Sequence, residues 1–237
     1  HFMLPPLPRL PAVRELIERE IYFVLHAPRQ SGKTTTLRTL AQALTEEGRR
    51  AAVLLSVEPG AALPKKVGAA ERAILETWRR AAELQLAAEL RPPPWPKAPP
   101  GSRLAAALTA WCQACPRPLV VLIDEIDSLS GDPLISVLRQ LREGFQSRPR
   151  HFPASLCLCG MRDVRDYKLL SGGGERLNTA SPFNIKQDSL TLVNFTREEV
   201  AALYGQHTAD TGQPFEAEAV ERAHFLSGGQ PWLVNAL

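Results

Sequence analysis

The sequence predicts an α/β domain in which helices cover both faces of a mainly parallel, five-stranded sheet. Short apolar runs have the length and composition of buried strands at Ile21 to His26, Ala51 to Val57, Leu119 to Ile123, Ser155 to Cys159 and Leu190 to Val193. Helix-like segments separate these runs, and such alternation produces parallel strands joined by right-handed crossovers. From Thr196 onward the chain changes to two or three short helical segments without strands.

The helices are predicted from apolar residues that recur at helical spacing. Four of them separate the strands and are expected from about Gly32 to Thr45, over 65–90, over 102–112 and after Pro133. The proline-rich stretch 91–101 cannot continue a helix and is expected to form a loop. At the start of the chain, residues 4–11 are expected to be extended, with a helical approach over Leu16 to Glu20.

This pattern divides the chain into an N-terminal arm (1–20), a sheet-containing core (21–195) and a small helical subdomain (196–237). The first three residues, His1 to Met3, resemble a cloning remnant. The chain ends at Leu237 inside an expected helix, so we expect a truncated helical subdomain that lacks its remainder and any effector domain.

The composition is that of an ordinary globular protein, with 44% hydrophobic residues and a formal net charge of +3. A charge this small does not by itself argue for nucleic acid. No run approaches the roughly 18 apolar residues that a membrane span requires. Four cysteines without a disulfide framework favour a reducing compartment, so a cytoplasmic protein without membrane contact is expected.

The turn after the first strand has the composition of a phosphate-binding loop. Residues 27–34 read APRQSGKT, close to the pattern G-x-x-x-x-G-K-[ST] between a strand and a helix. In such loops backbone N–H groups and the helix dipole attract phosphate, the lysine reaches the β- and γ-phosphates, and the last hydroxyl holds Mg²⁺. The sequence therefore predicts a nucleotide site at Ala27, Pro28, Arg29, Gln30, Ser31, Gly32, Lys33, Thr34 and Thr35.

Ala27 is the one departure from the pattern, which has glycine at that position. A methyl group is the smallest substitute, and the stricter requirement falls on Gly32, where a side chain would block the phosphate. The departure therefore bears on the geometry of the loop more than on the function of Lys33. The alternative is an ordinary helix that happens to begin with GKT, and the strand–turn–helix context argues against it.

A second motif lies about 90 residues downstream, where PLVVLIDEID (118–127) follows an apolar strand with acidic residues. Asp124 stands at the carboxyl end of that strand, the edge at which open α/β sheets bind ligands. There it can hold the water shell of Mg²⁺ opposite Thr34. Glu125 is placed to accept a proton from an attacking water. An acidic turn after a buried strand would be the interpretation if this motif stood alone.

Together these motifs resemble those of the additional-strand P-loop ATPases, and within them the bacterial AAA-like and archaeal-type ATPases related to the STAND signalling class. The resemblance is carried by YFVLHAPRQSGKTTTL (22–37), VVLIDEID (120–127), GMRDVRDYK (160–168), SPFNI (181–185) and FTREEVAALYGQHTADTGQPFEAEAVERAHFLSGGQPWLVNAL (195–237). These segments span nearly the whole chain.

The resemblance implies ATP or ADP with Mg²⁺ as ligands and the sheet order 5-1-4-3-2. It implies that Arg162 reads the γ-phosphate and that Pro231, in Gly229-Gln230-Pro231, packs near the adenine as part of a helical lid. A guanidinium at the carboxyl edge of a strand can also pair with phosphate on physical grounds. A surface ion pair with Asp163 or Asp166 is the alternative for Arg162.

The first functional hypothesis is a nucleotide-controlled switch with slow, Mg²⁺-dependent ATP hydrolysis, in which Lys33, Glu125 and Arg162 are catalytic. In this hypothesis the chain acts with a protein partner or a fused effector domain. Assembly into a homo-oligomer is compatible with it. The second is a DNA-associated oligomeric motor or loader. The third is a non-hydrolysing scaffold. Nucleic acid is favoured only by one basic stretch, and such stretches are more often solvated faces: Arg139, Arg142, Arg148, Arg150 and His151.

Overall fold

A computed structural model describes residues 3–161 and 188–237 of the chain. Within these ranges the strands are β1 (Tyr22–His26), β2 (Ala51–Ser56), β3 (Leu119–Asp124), β4 (Ser155–Gly160) and β5 (Asp188–Thr191). The α-helices are α1 (Pro11–Glu18), α2 (Lys33–Glu46), α3 (Val67–Gln85), α4 (Arg103–Ala114), α5 (Gly131–Gly144), α6 (Arg197–Thr211), α7 (Ala217–Ser227) and α8 (Pro231–Ala236). None of these helices has the length and apolarity to cross a membrane.

The five strands form one sheet in the order β2-β3-β4-β1-β5, and every neighbouring pair is parallel. This confirms the predicted fold class and strand order. The chain returns to the same edge after each strand, so the carboxyl ends of β1, β2, β3 and β4 all lie together. In particular, Ser56 at the end of β2 pairs in register with Asp124 at the end of β3.

Helices cover both faces of the sheet because the central strands are apolar on both sides. Alternate residues of β1 point in opposite directions: Tyr22 and Val24 join the core beneath α3, α4 and α5, whereas Phe23 and Leu25 join the core beneath α1 and α2. Trp78 on α3 is fully buried in the first core, and its indole N–H donates to the Ser56 carbonyl at 3.0 Å. Packing on both faces fixes the strands that carry the loops of the site.

A buried polar network ties together the three helices of one face. The Glu71 carboxylate on α3, with 1% exposure, accepts from the Gly101 N–H at 3.0 Å and from the Gln140 amide of α5 at 2.7 Å. The Gln140 carbonyl oxygen in turn accepts the N–H groups of Leu104 and Ala105, which lie in the first turn of α4. Gln140 thus satisfies a buried charge and two otherwise unpaired helix N–H groups at once.

The first helix begins earlier than predicted. α1 starts at Pro11 rather than near Leu16, and a 3-10 turn over Leu7–Arg9 precedes it, so residues 4–11 are not extended throughout. Proline at the first position of a helix loses no hydrogen bond. Burial of an apolar face that includes Ile17 then favours the helix over an extended chain.

Two other boundaries also differ from prediction. The helix predicted over 65–90 is divided into α3, which ends at Gln85, and a 3-10 turn over Ala88–Leu90. β5 lies at Asp188–Thr191, two residues before the predicted Leu190 to Val193, because its pairing with β1 ends there.

The three C-terminal helices, α6 to α8, form a separate apolar cluster with residues from both ends of the chain. Thr196 and Glu199 form a reciprocal capping box at the start of α6, with the Glu199 N–H donating to the Thr196 hydroxyl at 3.2 Å. Leu4 packs against this cluster, and the Met3 N–H donates to the Gln206 side chain at 3.2 Å. The N-terminal segment therefore contacts the C-terminal helices directly.

We expect Gln140→Ala to lower the free energy of unfolding by about 2–4 kcal/mol, because it leaves buried polar groups without partners. Denaturant unfolding followed by circular dichroism measures this. Arg80→Ala is the control, since it removes only an exposed ion pair with Glu76 and should cost less than about 0.5 kcal/mol. Equal effects of the two substitutions would contradict a structural role for the network.

Candidate functional site

The loop between β1 and α2 lies at the carboxyl edge of the sheet. Gly32 adopts φ +88° and stands at the N-cap of α2, a left-handed conformation that glycine takes without strain. The Ser31 hydroxyl donates to the Pro28 carbonyl at 2.9 Å, and the Thr36 N–H donates to the Gly32 carbonyl at 2.9 Å. The loop thus ends at a helix N-terminus, where free N–H groups and the helix dipole attract anions.

Alanine fits at position 27 without backbone strain. Among the described non-glycine residues, positive φ values occur at Glu20, Gln30 and Glu125, and not at Ala27. The Ala27 methyl packs in the core beneath α1 and α2 with 1% exposure, and its N–H donates to the Gly160 carbonyl at 3.2 Å. The departure from the glycine pattern is therefore accommodated by the geometry of the loop.

The Lys33 side chain folds back onto the start of its own loop. Its ammonium donates to the carbonyl oxygens of Ala27 at 2.8 Å and Pro28 at 2.7 Å. These acceptors are neutral, and a charged oxygen makes a stronger hydrogen bond with an ammonium group. An anion bound at this loop would therefore be a stronger partner for Lys33 than the carbonyl oxygens.

Thr34 and Asp124 are 90 positions apart in the chain and are in direct contact. The Thr34 hydroxyl donates to one oxygen of the Asp124 carboxylate at 2.6 Å, and the other oxygen accepts the Glu125 N–H at 2.9 Å. Asp124 is 5% exposed, so its carboxylate is held in one orientation. A hydroxyl and a carboxylate oxygen side by side form a hard-oxygen donor set of the kind that Mg²⁺ prefers.

Glu125 follows on the exposed rim and is held by the end of β2. The Ser56 hydroxyl donates to the Glu125 carboxylate at 3.3 Å and accepts the Glu58 N–H at 3.1 Å. Burial raises the pKa of Glu125, and the hydrogen bond that its protonated carboxyl group donates to Glu58, together with the charges of Glu58 and Asp124, raises it further, against a smaller lowering effect of Ser56. A carboxylate with a raised pKa is a stronger proton acceptor when it is ionised.

A cavity of about 480 Å³ opens beside the loop. Its walls come from three parts of the chain: the N-terminal segment, the start of α2 and the C-terminal helices. Representative lining residues are Arg9, Gly32, Thr35, Phe195, Pro231 and Trp232. The lining is mainly apolar, with a few polar groups next to the loop, as is usual for small-molecule sites.

The structure brings most of the predicted site residues to this one edge. Pro231 is the first residue of α8 and lies in the cavity wall, and the Gln230 side chain donates to the Arg29 carbonyl at 3.1 Å. Arg162 lies outside the described residues. Within the basic stretch, Arg148 is engaged inside the fold, since its guanidinium donates to the Phe145 carbonyl at 2.9 Å and stacks on the Phe145 ring.

Several residues of the site were missed by the sequence reasoning. Ser56 could have been found, because it ends a buried strand at the same edge as Asp124. Glu58 lies two residues further on, in a 3-10 turn that no pattern predicts. Arg9 and Phe195 reach the cavity from opposite ends of the chain, and no sequence signal links them.

The cysteines do not form one cluster. Cys157 and Cys159 on β4 are buried in the core beneath α1 and α2, whereas Cys115 is buried in the core on the other face. All four cysteines are free. Among the described residues, no group of three or more histidines, cysteines and acidic residues has the arrangement of a metal site.

Solved structures of similar fold include a Walker-type ATPase of Pyrococcus abyssi, at 13% identity and a TM-score of 0.62, over 98% of this chain and 66% of that one. Cdc6p of Pyrobaculum aerophilum aligns at 12% identity and a TM-score of 0.61, over 96% and 58%. The RuvB Holliday junction branch migration motor of Thermotoga maritima aligns at 19% identity and a TM-score of 0.51, over 96% and 57%. The chain thus spans about three-fifths of the length of these proteins.

No curated protein sequence matches the chain significantly. The profile of one domain family does match, over residues 18–167, which run from the end of α1 past β4 and contain both the glycine–lysine–threonine loop and the Asp124–Glu125 pair. With the parallel sheet and the loop at its carboxyl edge, this match identifies the chain as a member of the AAA domain family.

Proposed function

We propose that this chain binds ATP with Mg²⁺ at the loop between β1 and α2 and hydrolyses it slowly, acting as a nucleotide-controlled switch. The observation that carries the proposal is the direct contact between Thr34 and Asp124 at 2.6 Å, beside a loop that ends at a helix N-terminus. Folding alone does not require a hydroxyl and a buried carboxylate to meet at this edge. A nucleotide–metal complex requires both groups.

The phosphate groups would lie over the N-terminus of α2. Backbone N–H groups from Gly32 onward would donate to them, and Lys33 would exchange its two carbonyl acceptors for phosphate oxygens. The base would enter the cavity beside the loop, where Pro231 and Trp232 form part of an apolar wall. In this arrangement Lys33 would contact the phosphates, and the adjoining cavity would hold the base.

Thr34 and Asp124 would hold Mg²⁺, partly through water. The donor set fits, because both groups offer oxygen ligands, and Asp124 is fixed by the Glu125 N–H. When bound, the ion would neutralise charge on the phosphates. The contribution of the chain would be to hold these oxygens in a fixed orientation.

Glu125 would accept the proton of the attacking water. Its carboxylate lies one residue beyond Asp124, on the exposed rim and in contact with the Ser56 hydroxyl. Arg162 is proposed to contact the γ-phosphate, on the resemblance alone. In a switch of the STAND-related type, contacts to the γ-phosphate exist in only one of two states, and the helices from residue 196 onward would act as a lid over the core at 21–195.

A DNA-associated oligomeric motor is the second candidate, and two observations favour it. One of the proteins of similar fold is a Holliday junction branch migration motor. Arg139, Arg142 and Arg150 are exposed and available to phosphate, whereas Arg148 is not free. ATP turnover that is stimulated by duplex DNA, with assembly that depends on ATP, would favour this candidate over the solitary switch.

Lys33→Ala should abolish binding of ATP·Mg²⁺, because it removes the ammonium that meets the β- and γ-phosphates. Isothermal titration calorimetry measures this, and a loss of at least about 100-fold is expected from removing a charge-assisted contact together with its electrostatic field. Lys66→Ala, in the loop before α3, is the control. No saturable binding to the unmodified chain would contradict the proposal.

Glu125→Gln should retain ATP binding and lower the turnover number by about 100-fold or more, the usual contribution of a general base. Release of phosphate under single-turnover conditions measures it. Asp127→Asn removes an equal charge from the same turn and serves as the control. Turnover of Glu125→Gln at the rate of the unmodified chain would exclude Glu125 as the base.

The same variant has an expected effect on stability. Because the pKa of Glu125 is raised on folding, the folded state binds this proton more tightly than the unfolded state does. The stability contributed by the proton is present below the unfolded pKa and is lost as pH rises through the folded pKa. Denaturation midpoints should therefore show Glu125→Gln to be more stable than the unmodified chain at pH 8, with the difference vanishing near pH 4. A difference that is independent of pH would refute the raised pKa.

A further inference from the structure

The strand β2 lies at one edge of the sheet, and among the described strands it pairs only with β3. In a parallel pair, alternate residues of a strand turn their N–H and C=O groups towards the same neighbour. The Ala51 N–H donates to the Pro118 carbonyl, on the side of β3, at 3.1 Å. The peptide groups of Ala52, Leu54 and Ser56 therefore point away from the sheet.

The side chain of Gln85, the last residue of α3, occupies the place of a further strand. Its amide nitrogen donates to the Leu54 carbonyl at 2.8 Å, and its carbonyl oxygen accepts the Leu54 N–H at 2.9 Å. A carboxamide carries the same donor and acceptor as a peptide group. Gln85 thus makes the two hydrogen bonds with Leu54 that a residue of an adjacent antiparallel strand would make.

The neighbouring outward groups of β2 are bonded in the same way. The Thr45 hydroxyl on α2 accepts the Ala52 N–H at 2.9 Å and donates to the Ala52 carbonyl at 3.1 Å. The indole N–H of Trp78 on α3 donates to the Ser56 carbonyl at 3.0 Å. Because α2 and α3 cover opposite faces of the sheet, their side chains meet across its edge and hold β2 from both sides.

The sequence of β2 makes this edge prone to pairing with another chain. Ala51–Ser56 reads AAVLLS, without a charged residue or a proline, which are two common means of protecting an edge strand. A cavity of about 400 Å³ opens along the strand between α2 and α3, and Leu84 beside it is 88% exposed. Gln85 is itself exposed. Water could therefore satisfy the Leu54 groups, and burial alone does not account for the carboxamide.

We propose that Thr45 and Gln85 close β2 against strand addition, and that the partner they exclude is the β2 edge of a second copy of this chain. A twofold axis brings two identical edge strands together antiparallel, so the same surface serves both copies. The peptide groups of Ala52 and Leu54 would then bond across the axis in place of the two side chains. This inference is independent of nucleotide binding.

Amide hydrogen exchange of the unmodified chain, followed by NMR, tests the two contacts directly. The Ala52 and Leu54 N–H groups should exchange at least about 100-fold more slowly than in an unstructured peptide, because each is bonded to a side chain. In Gln85→Leu the Leu54 N–H should lose this protection while the Ala52 N–H keeps it. Exchange of both groups at unstructured rates in the unmodified chain would overturn the inference.

The variant Thr45→Val/Gln85→Leu preserves the shape of both side chains and removes their hydrogen-bonding groups. Self-association should appear at concentrations at least about tenfold lower than for the unmodified chain, since the outward groups of β2 become available to a second copy. Sedimentation velocity over a concentration series without nucleotide measures this. Gln85→Leu alone, which frees only the Leu54 groups, should have a smaller effect in the same direction.

Gln42→Leu is the matched control. Gln42 lies on α2 and lines the same cavity, but its amide donates to the Glu46 carboxylate at 2.7 Å rather than to the strand. The substitution adds as much apolar surface as Gln85→Leu does and leaves the edge closed, so it should not change self-association. Circular dichroism of each variant confirms that the fold is retained.

Equal self-association of the double variant and Gln42→Leu would show that Thr45 and Gln85 do not guard the edge, and would overturn the inference. Association of the double variant in which the Ala52 and Leu54 N–H groups stay unprotected from exchange would place the contact elsewhere, and would also overturn it. If the double variant does not fold, Gln85→Leu decides, and behaviour identical to that of Gln42→Leu would overturn the inference. Recovered protection of both N–H groups on association would support it.

Discussion

The site depends on one constraint, the meeting of Thr34 and Asp124 at the carboxyl edge of a parallel sheet. β1 and β3 are separated by β4, so their ends are held at a fixed distance by two ladders of backbone hydrogen bonds. The loop after β1 brings Thr34 across this gap to a carboxylate that is buried and already bonded to the next N–H. Lys33 and Glu125 are the sequence neighbours of these two residues, so the contact also brings an ammonium group and a second carboxylate to this edge.

The contact between Thr34 and Asp124 also determines how the charged groups are distributed at this edge of the sheet. Asp124, Glu125 and Glu58 place three carboxyl groups at the ends of two adjacent strands, and their proximity contributes to the raised pKa of Glu125. On the other side of Thr34, the Lys33 ammonium and the N-terminus of α2 supply positive potential. In the proposed site the ion would face the carboxylates and the phosphates would face the loop.

The C-terminal helices reach the loop through few but specific contacts. Gly229 adopts φ +70°, and a β-carbon there would lie 2.1 Å from the Phe195 carbonyl oxygen, so glycine permits the close approach that holds α8 beside the cavity. Gln230 bonds to the loop, and Arg9 bonds to the start of the segment that leads into α6. These contacts join the C-terminal helices to the loop and to the N-terminal segment.

The sequence by itself determined the fold class and, through its resemblance, the strand order, and it singled out Lys33, Thr34, Asp124 and Glu125 as candidate site residues, since apolar runs and loop motifs are local patterns. It misplaced the start of α1 and the bounds of β5, because burial and the length of the pairing partner set those limits. Only the tertiary structure decided that Ser56 and Glu58 would hold Glu125, and that Arg9 and Gly32 would line one cavity. Such contacts join residues that are distant along the chain, and no local spacing encodes which of them will meet.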